Sequence, residues 1–341
     1  MSNVLMDSRV IGNLNGGGKF TVSGLDEDRG NVRKLGVWVT DWNIAAIKVW
    51  FDSGKSLQYG ESKGDYYERV IGPGDKLVSA MLADNGAEDP KDKRLGSIRL
   101  VFGPGKEQEF HARMRRSYGT EQSIDVGSGI LVGLEGRSGA DIDALGLMLF
   151  QPIRSAVLRD VEYEKLSYWN DQIQLFSITN FRDENEDDAP SAWLFEGSWK
   201  KTVSSSWSTT TSAEMTFGAR VEAGVPEIVT VEASFEFKVG STFSHGTTIT
   251  NEITTSWTKK GVLEPHDTIF LEAIVGTAEI TPRFTAKLDL TFENNARLSR
   301  TVTGTYAGVS ASKVMLKTTD GQVMPADAEG QSSRRVVPAF A

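Results

Sequence analysis

Cysteine is absent from the 341-residue chain. No disulfide staples the fold, and no thiolate can hold zinc. Histidine occurs only at His111, His245 and His266, too few to build a histidine-based catalytic or metal site with ease. His111 lies in a strand-like run and His245 in a Ser/Thr-rich one. Positive charge is in deficit, with 37 Lys and Arg against 46 Asp and Glu and a net charge of −9. Bulk attraction to nucleic acid or to anionic lipid is thereby excluded as a general mode of action. No stretch approaches the ~18 apolar residues of a spanning helix, so entry into a bilayer would have to use β-strands. The first twenty residues also lack an apolar stretch of signal-peptide length. The expectation is a soluble protein without a signal peptide, stored in the cytoplasm or released by a non-standard route, that acts at a target membrane. No cofactor, metal or enzymatic activity is expected.

What is present reads almost everywhere as strand. Val, Ile, Thr, Phe and Trp alternate with polar residues, clusters of Gly, Pro, Asn and Asp separate the runs, and no sustained 3.6-residue period occurs. With 39% hydrophobic and 24% charged residues, the composition is that of a folded chain long enough for two domains. The predicted class is all-β.

The first half repeats itself. Leu35-Gly36, Leu95-Gly96 and Leu145-Gly146 each open a strand-like run. The run Ile47-Lys48-Val49-Trp50-Phe51 is echoed by Ile98-Arg99-Leu100-Val101-Phe102. Three related units of about 50 residues predict a three-sheet prism of approximate threefold symmetry. The grammar changes after Pro152. Ser and Thr become dense from Ser198 to Ser212 and from Ser241 to Thr258, and the acidic run 182–188 reads as a solvated loop. Two domains are expected, 1–155 and 156–341.

Two segments carry candidate chemistry. From 213 to 223 and from 229 to 239, every odd position is apolar and every even position is polar or Gly. Met215, Phe217, Ala219, Val221, Val229, Val231, Ala233, Phe235 and Phe237 form the apolar set. Glu214, Arg220, Glu222, Glu232, Glu236 and Lys238 form the charged set, with a net charge of −2. Each run is 11 residues long, the length a tilted strand needs to cross a bilayer, and a turn is expected at 224–228. The same alternation also suits a hairpin that covers a soluble core. Insertion would place the apolar set against lipid and the charged set in a cation-preferring lumen. Several protomers would have to close the ring, because a lone hairpin leaves its edges unpaired in hydrocarbon.

The second segment is Gly136-Arg137-Ser138-Gly139-Ala140-Asp141-Ile142-Asp143, a Gly-rich turn bearing two carboxylates. Asp143 and nearby backbone amides could hold a pair of sugar hydroxyls; an ordinary turn in which Asp143 caps local backbone fits equally well. The run Asn15-Gly16-Gly17-Gly18 offers a second loop of unobstructed amides. Asp141 and Asp143 are two residues apart on one loop. That argues against a glycoside hydrolase, whose carboxylates flank the scissile bond.

On these motifs, residues from Gly12 to Pro152 resemble a jacalin-type lectin domain, in which the sugar loop reads Gly-x-x-x-Asp, here Gly139 to Asp143. The resemblance implies a β-prism of three Greek-key-like sheets. It also implies a mannose-type site in which Asp143 accepts and the amides of Ala140, Asp141 and Gly17 donate. Residues from 156 to 330 resemble an elongated aerolysin-type antiparallel β module, and the order of the two halves, with Ile124-Asp125-Val126-Gly127-Ser128-Gly129 before the sugar loop, resembles natterin-like proteins. Asn13-Leu14-Asn15 departs from the more Gly-rich pattern of many jacalin-type domains. The resemblance implies a pore-forming lectin whose partners are cell-surface glycans, the bilayer and further copies of itself. The competing reading is a soluble mannose-binding lectin whose second half serves only for oligomerisation or storage.

Overall fold

The computed structural model describes residues 4–26, 29–72, 74–103, 108–209, 220–231, 234–243, 247–318, 322–325 and 334–335. The chain is all-β, with one short 3-10 helix among the described residues, at Leu166–Gln172. It forms two compact units. The first holds the residues up to Val157 together with Leu288–Arg300; the second holds Leu158–Thr209, Arg220–Lys287 and the residues from Thr301 onward. The segment Leu288–Arg300 thus belongs to the first unit, although it lies far along in the half expected to form the second.

Up to residue 149, the described residues form twelve strands: β1 (Ile11–Gly12), β2 (Gly18–Ser23), β3 (Val32–Val39), β4 (Ile44–Phe51), β5 (Ser56–Gly60), β6 (Asp65–Val70), β7 (Lys76–Asp84), β8 (Leu95–Gly103), β9 (Gln108–Arg113), β10 (Gln122–Ile124), β11 (Leu131–Ser138) and β12 (Ile142–Leu149). They make three four-stranded sheets in the orders β5-β4-β3-β6, β10-β7-β8-β9 and β1-β12-β11-β2. Each sheet is built on one hairpin: β3–β4, β7–β8 or β11–β12. Each hairpin carries two register shifts at matching places, Val32/Lys34 and Trp38/Val39, Leu77/Ser79 and Ala83/Asp84, Leu131/Gly133 and Arg137/Ser138. A bulge bends and twists its strand, so a shared pair of bulges gives three sheets of one shape.

The register aligns Ile47, Ile98 and Leu145, then Val49, Leu100 and Leu147, then Phe51, Phe102 and Leu149, all at most 2% exposed. Each such side chain contributes about 1.5–3 kcal/mol relative to exposure. The echo between 47–51 and 98–102 is therefore a true repeat. The Leu-Gly pairs are not. Leu35-Gly36 lies in the first strand of its hairpin, whereas the other two lie in second strands and three positions out of step. Their glycines answer to different neighbours: a Cβ at Gly36 would meet the Tyr66 ring, and one at Gly146 would meet Ser8 and Val10.

The later strands are β13 (Ile153–Tyr163), β14 (Gln174–Glu184), β15 (Ser191–Thr209), β16 (Arg220–Val221), β17 (Gly224–Val231), β18 (Ser234–Phe243), β19 (Thr248–Leu263), β20 (Thr268–Ile280), β21 (Arg283–Phe292) and β22 (Arg297–Ala311), followed by short strands at Met315–Thr318, Val323–Pro325 and Arg334–Arg335. Neighbours run in the order β16-β13-β21-β22-β15-β19, and β20 pairs with β14 and β22. The long ribbon β15–β19 is paired without a register shift from Ser191↔Leu263 to Ser206↔Thr248. Its odd positions turn inward, with Phe195, Val203, Trp207 and Trp257 buried, and most of its even positions are exposed Ser, Thr, Lys and Glu, with Leu194 and Val262 as exposed apolar exceptions. Trp257 lies over Gly197 and Trp193 over Gly261, each directly across the ladder, so the missing side chains make room for the indoles.

Candidate functional site

Three loops of the prism meet at Asp143, the second residue of β12. Burial leaves the residue 4% exposed. The loop between β1 and β2 covers it. A Cβ on Gly16 would lie 2.5 Å from Asp143 Oδ1, and one on Gly17 2.5 Å from Oδ2, so only glycine allows backbone to come this close. Gly17 also has a φ of +27°. Asn13 N–H donates to Asp143 O at 2.8 Å, and Asn13 Oδ1 accepts from Asn15 N–H at 2.9 Å. Arg137 clamps the loop from its other side, with Nε donating to Gly16 O and Nη2 to Gly17 O at 3.0 Å. The loop between β11 and β12 holds Gly139, Ala140 and Asp141. Gly139 N–H donates to Asp141 O at 3.1 Å, and Ala140 O accepts from Glu61 N–H at 3.0 Å.

All five sequence-predicted site residues, Gly17, Gly139, Ala140, Asp141 and Asp143, thus fall at one place. The structure adds cations that sequence reasoning missed. Arg94 Nε lies 3.2 Å from Asp143 Oδ1, while its Nη1 donates to Lys91 O and Lys93 O at 2.8 and 2.7 Å. Lys63 Nζ lies 2.8 Å from Asp141 Oδ1. Asn13 Nδ2 reaches Lys91 O at 3.4 Å, tying the glycine loop to the β7–β8 loop that carries Arg94. Burial pushes the Asp143 carboxyl above the usual range; Arg94 opposes that shift. The signal in the sequence was the basic run Lys91-Asp92-Lys93-Arg94, but nothing local says which of its members reaches a carboxylate 50 residues away.

The second candidate lies in the second unit. Met215, Phe217, Ala219, Glu214, Glu232 and Ala233 lie outside the described residues. The others form a different hairpin from the one expected. Strands β17 and β18 pair from Pro226↔Val239 through Ile228↔Phe237 and Val229↔Glu236 to Val231↔Ser234, so residues 224–228 lie within the paired strand β17 and do not form its turn. This register sets odd positions opposite even ones. Ile228 and Phe237 share the buried face, while Val229 and Val231 share the other face with Glu236 and Lys238. The expectation that 229–239 is a single strand with one apolar side does not hold in this fold. The apolar stretch has doubled back so that Phe235 and Phe237 can cover the body of the unit. Arg220, the first residue of β16, and Glu222, just after it, are half exposed, whereas Val221 between them is fully buried.

Neutral side chains hold this hairpin through its backbone. Phe237 N–H donates to Asn170 Oδ1 at 3.0 Å and Ile228 N–H to Ser310 Oγ at 3.1 Å. Tyr163 OH donates to Gly224 O at 2.9 Å and accepts from Trp207 Nε1 at 2.8 Å. Burial pushes the Tyr163 hydroxyl well above its ordinary value, so it stays protonated.

His111 sits beside Ser97, with Nε2 and Oγ 3.1 Å apart, but Ser97 is fully buried and cannot meet a substrate. Among the described residues, no helix is long and apolar enough to cross a membrane.

No protein-family profile and no curated protein sequence matches the chain. Among solved structures it is similar to a lamprey immune protein, at 32% identity over 94% of this chain and 99% of that one, with a TM-score of 0.74. It is also similar to Malaysian banana lectin, at 22% identity over 42% of this chain and 96% of that one, with a TM-score of 0.35. A mannose-binding jacalin-related lectin from Ananas comosus aligns at 21% identity over 43% of this chain and 98% of that one, with a TM-score of 0.36.

Proposed function

The chain belongs to the family of the lamprey immune protein, and we propose that it is a defensive glycan-binding protein that docks through its prism and inserts one hairpin per protomer into a membrane barrel. The glycan arm rests on the carboxylate of Asp143 lying directly under bare glycine backbone. A mannose-type sugar would donate a hydroxyl to Asp143 and accept from the amides of Gly17, Ala140 and Asp141. Arg94 lets the carboxylate stay ionised in a buried place.

One observation carries the insertion arm: the register of the β15–β19 ribbon. Its pairing runs from Ser191↔Leu263 to Ser206↔Thr248, and Trp207 N–H still donates to Thr247 O at 2.9 Å. Continued without a shift, the same ladder sets Met215 opposite Val239, Phe217 opposite Phe237, Ala219 opposite Phe235, Val221 opposite Ala233 and Ala223 opposite Val231. The turn then falls at 226–228. Every apolar odd residue comes onto one face, and Glu214, Arg220, Glu222, Glu232, Glu236 and Lys238 come onto the other. The β17–β18 pairing scrambles that segregation; the extended ladder restores it. Insertion is thus a change of register, in which the hairpin gives up burial of Ile228 and Phe237, about 1.5–3 kcal/mol each, and sets Phe237 with the other odd residues against lipid. Ring closure by several copies satisfies the outer edges.

The test is dye release from vesicles with and without mannosylated lipid. Release confined to the mannosylated vesicles and suppressed by free methyl α-mannoside is the expected result. Binding without release at any protein concentration would favour a lectin whose second unit only assembles. The lumen charge of −2 per protomer makes single channels prefer cations, checked by the reversal potential in a salt gradient; anion preference would place the charged set elsewhere.

A further inference from the structure

The loops around Asp143 continue into a wider surface of the prism. Glu61 N–H bonds Ala140 O and Lys63 bonds Asp141, so the β5–β6 loop abuts the sugar loop. A Cβ on Gly64 would lie 3.2 Å from Thr40 N, so the same loop also backs onto the β3–β4 turn. On that turn stands Trp42, 57% exposed and the one tryptophan among the exposed large apolar residues described.

The turn does not need the indole. Thr40 Oγ1 accepts from Trp42 N–H and Asn43 N–H, both at 3.1 Å, and donates to Asn43 Oδ1 at 2.7 Å. Arg116 lays its guanidinium 3.3 Å from the indole centroid, and its backbone N–H donates to Asp41 O at 3.3 Å. Neighbouring Arg115 is held by Asp41 at 3.3 Å and Asp65 at 2.7 Å. One face of a large aromatic ring is therefore backed by a cation, and the other stands toward solvent on a pinned support. Such pre-ordering lowers the cost of binding.

The approximate threefold symmetry adds a second argument. The β3–β4 turn is the counterpart of the β11–β12 turn, because Val39↔Ile44 matches Ser138↔Ile142. The counterpart of Asp143 in β4 is Ala45. The second turn therefore has no carboxylate to accept a hydroxyl. What it offers is an aromatic face, which suits the C–H side of a pyranose, with Arg116 and Asp41 at its polar rim.

We propose that Trp42 is the stacking platform of a second glycan subsite, which takes a further pyranose ring of an oligosaccharide whose first ring occupies the Asp143 site. This rests on the glycan reading above. Titration calorimetry with methyl α-mannoside and with mannopentaose tests it on the wild-type chain, Trp42→Ala and Trp42→Phe. The expected result is a loss of about five- to tenfold in mannopentaose affinity for Trp42→Ala, recovery in Trp42→Phe, and no change with methyl α-mannoside. Mannopentaose binding by Trp42→Ala at wild-type strength would overturn the subsite while leaving the Asp143 site standing. Equal wild-type affinity for the two sugars would do the same. A wild-type chain that binds neither sugar would overturn the subsite and the glycan reading together.

Discussion

A chain carrying Val229→Cys and Glu236→Cys, once oxidised, should bind glycan-bearing vesicles and release none of their contents; reduction should restore release to the wild-type level. The two residues face each other across β17–β18, outside the buried side of that hairpin, at the spacing of directly opposed strand neighbours. In the extended ladder they belong to different pairs, with Val229 opposite Val225 and Glu236 opposite Gly218. The disulfide therefore admits one register and forbids the other. The native chain has no cysteine, so the engineered bridge is the sole disulfide that a reductant can open. Each single-cysteine variant should behave as wild type. Release by the oxidised double variant would mean that the hairpin crosses the bilayer with its present pairing, or not at all.

Asp143→Asn should lower affinity for methyl α-mannoside by about 10- to 100-fold, the scale of one hydrogen bond to a charged group. Asparagine has nearly the same shape, so Gly16 and Gly17 can remain in place. The amide presents one acceptor oxygen where the carboxylate presented two, and it leaves Arg94 without its anionic partner. Binding in the wild-type chain should also fall on acidification. Burial raises the Asp143 carboxyl above its ordinary value, so its proton is taken up at a higher pH than for a free aspartate. The protonated form accepts poorly and loses Arg94. Affinity should therefore be full above the raised value and decline as pH drops through it, and the variant should show no such step. Calorimetry on a descending pH series checks both points. Equal binding by variant and wild type would remove Asp143 from the site.

The all-β fold and the prism were legible because a strand half-buried in a sheet forces alternation on its sequence. Ile47, Val49 and Phe51, with their echo at Ile98, Leu100 and Phe102, show it most clearly. The Leu-Gly pairs misled because glycine at each of those places answers to a different neighbour. Asp143 and Gly17 were legible because close approach of backbone to a carboxylate leaves glycines in the sequence. Arg94 and Lys63 were not, because a long side chain from another loop carries no mark of where it ends. The pairing of Val231 with Ser234 escaped for a different reason. The alternation from 229 to 239 fits one long strand with a clean apolar face, and nothing in that pattern foretells that the folded chain doubles back to bury Ile228 against Phe237. The pattern describes the extended ladder better than the fold that holds it.

Exchange between the two hairpin registers is read out by a chain carrying Ala223→Cys and Val231→Cys. In the present fold these residues lie at the two ends of the β17 run, about 25 Å apart at strand rise, whereas the continued β15–β19 ladder makes them direct partners. Oxidation should leave the protein in solution uncross-linked and should join the two residues within each chain of the assemblies recovered from permeabilised vesicles. Membrane assemblies that release dye yet never form that bridge would contradict the account.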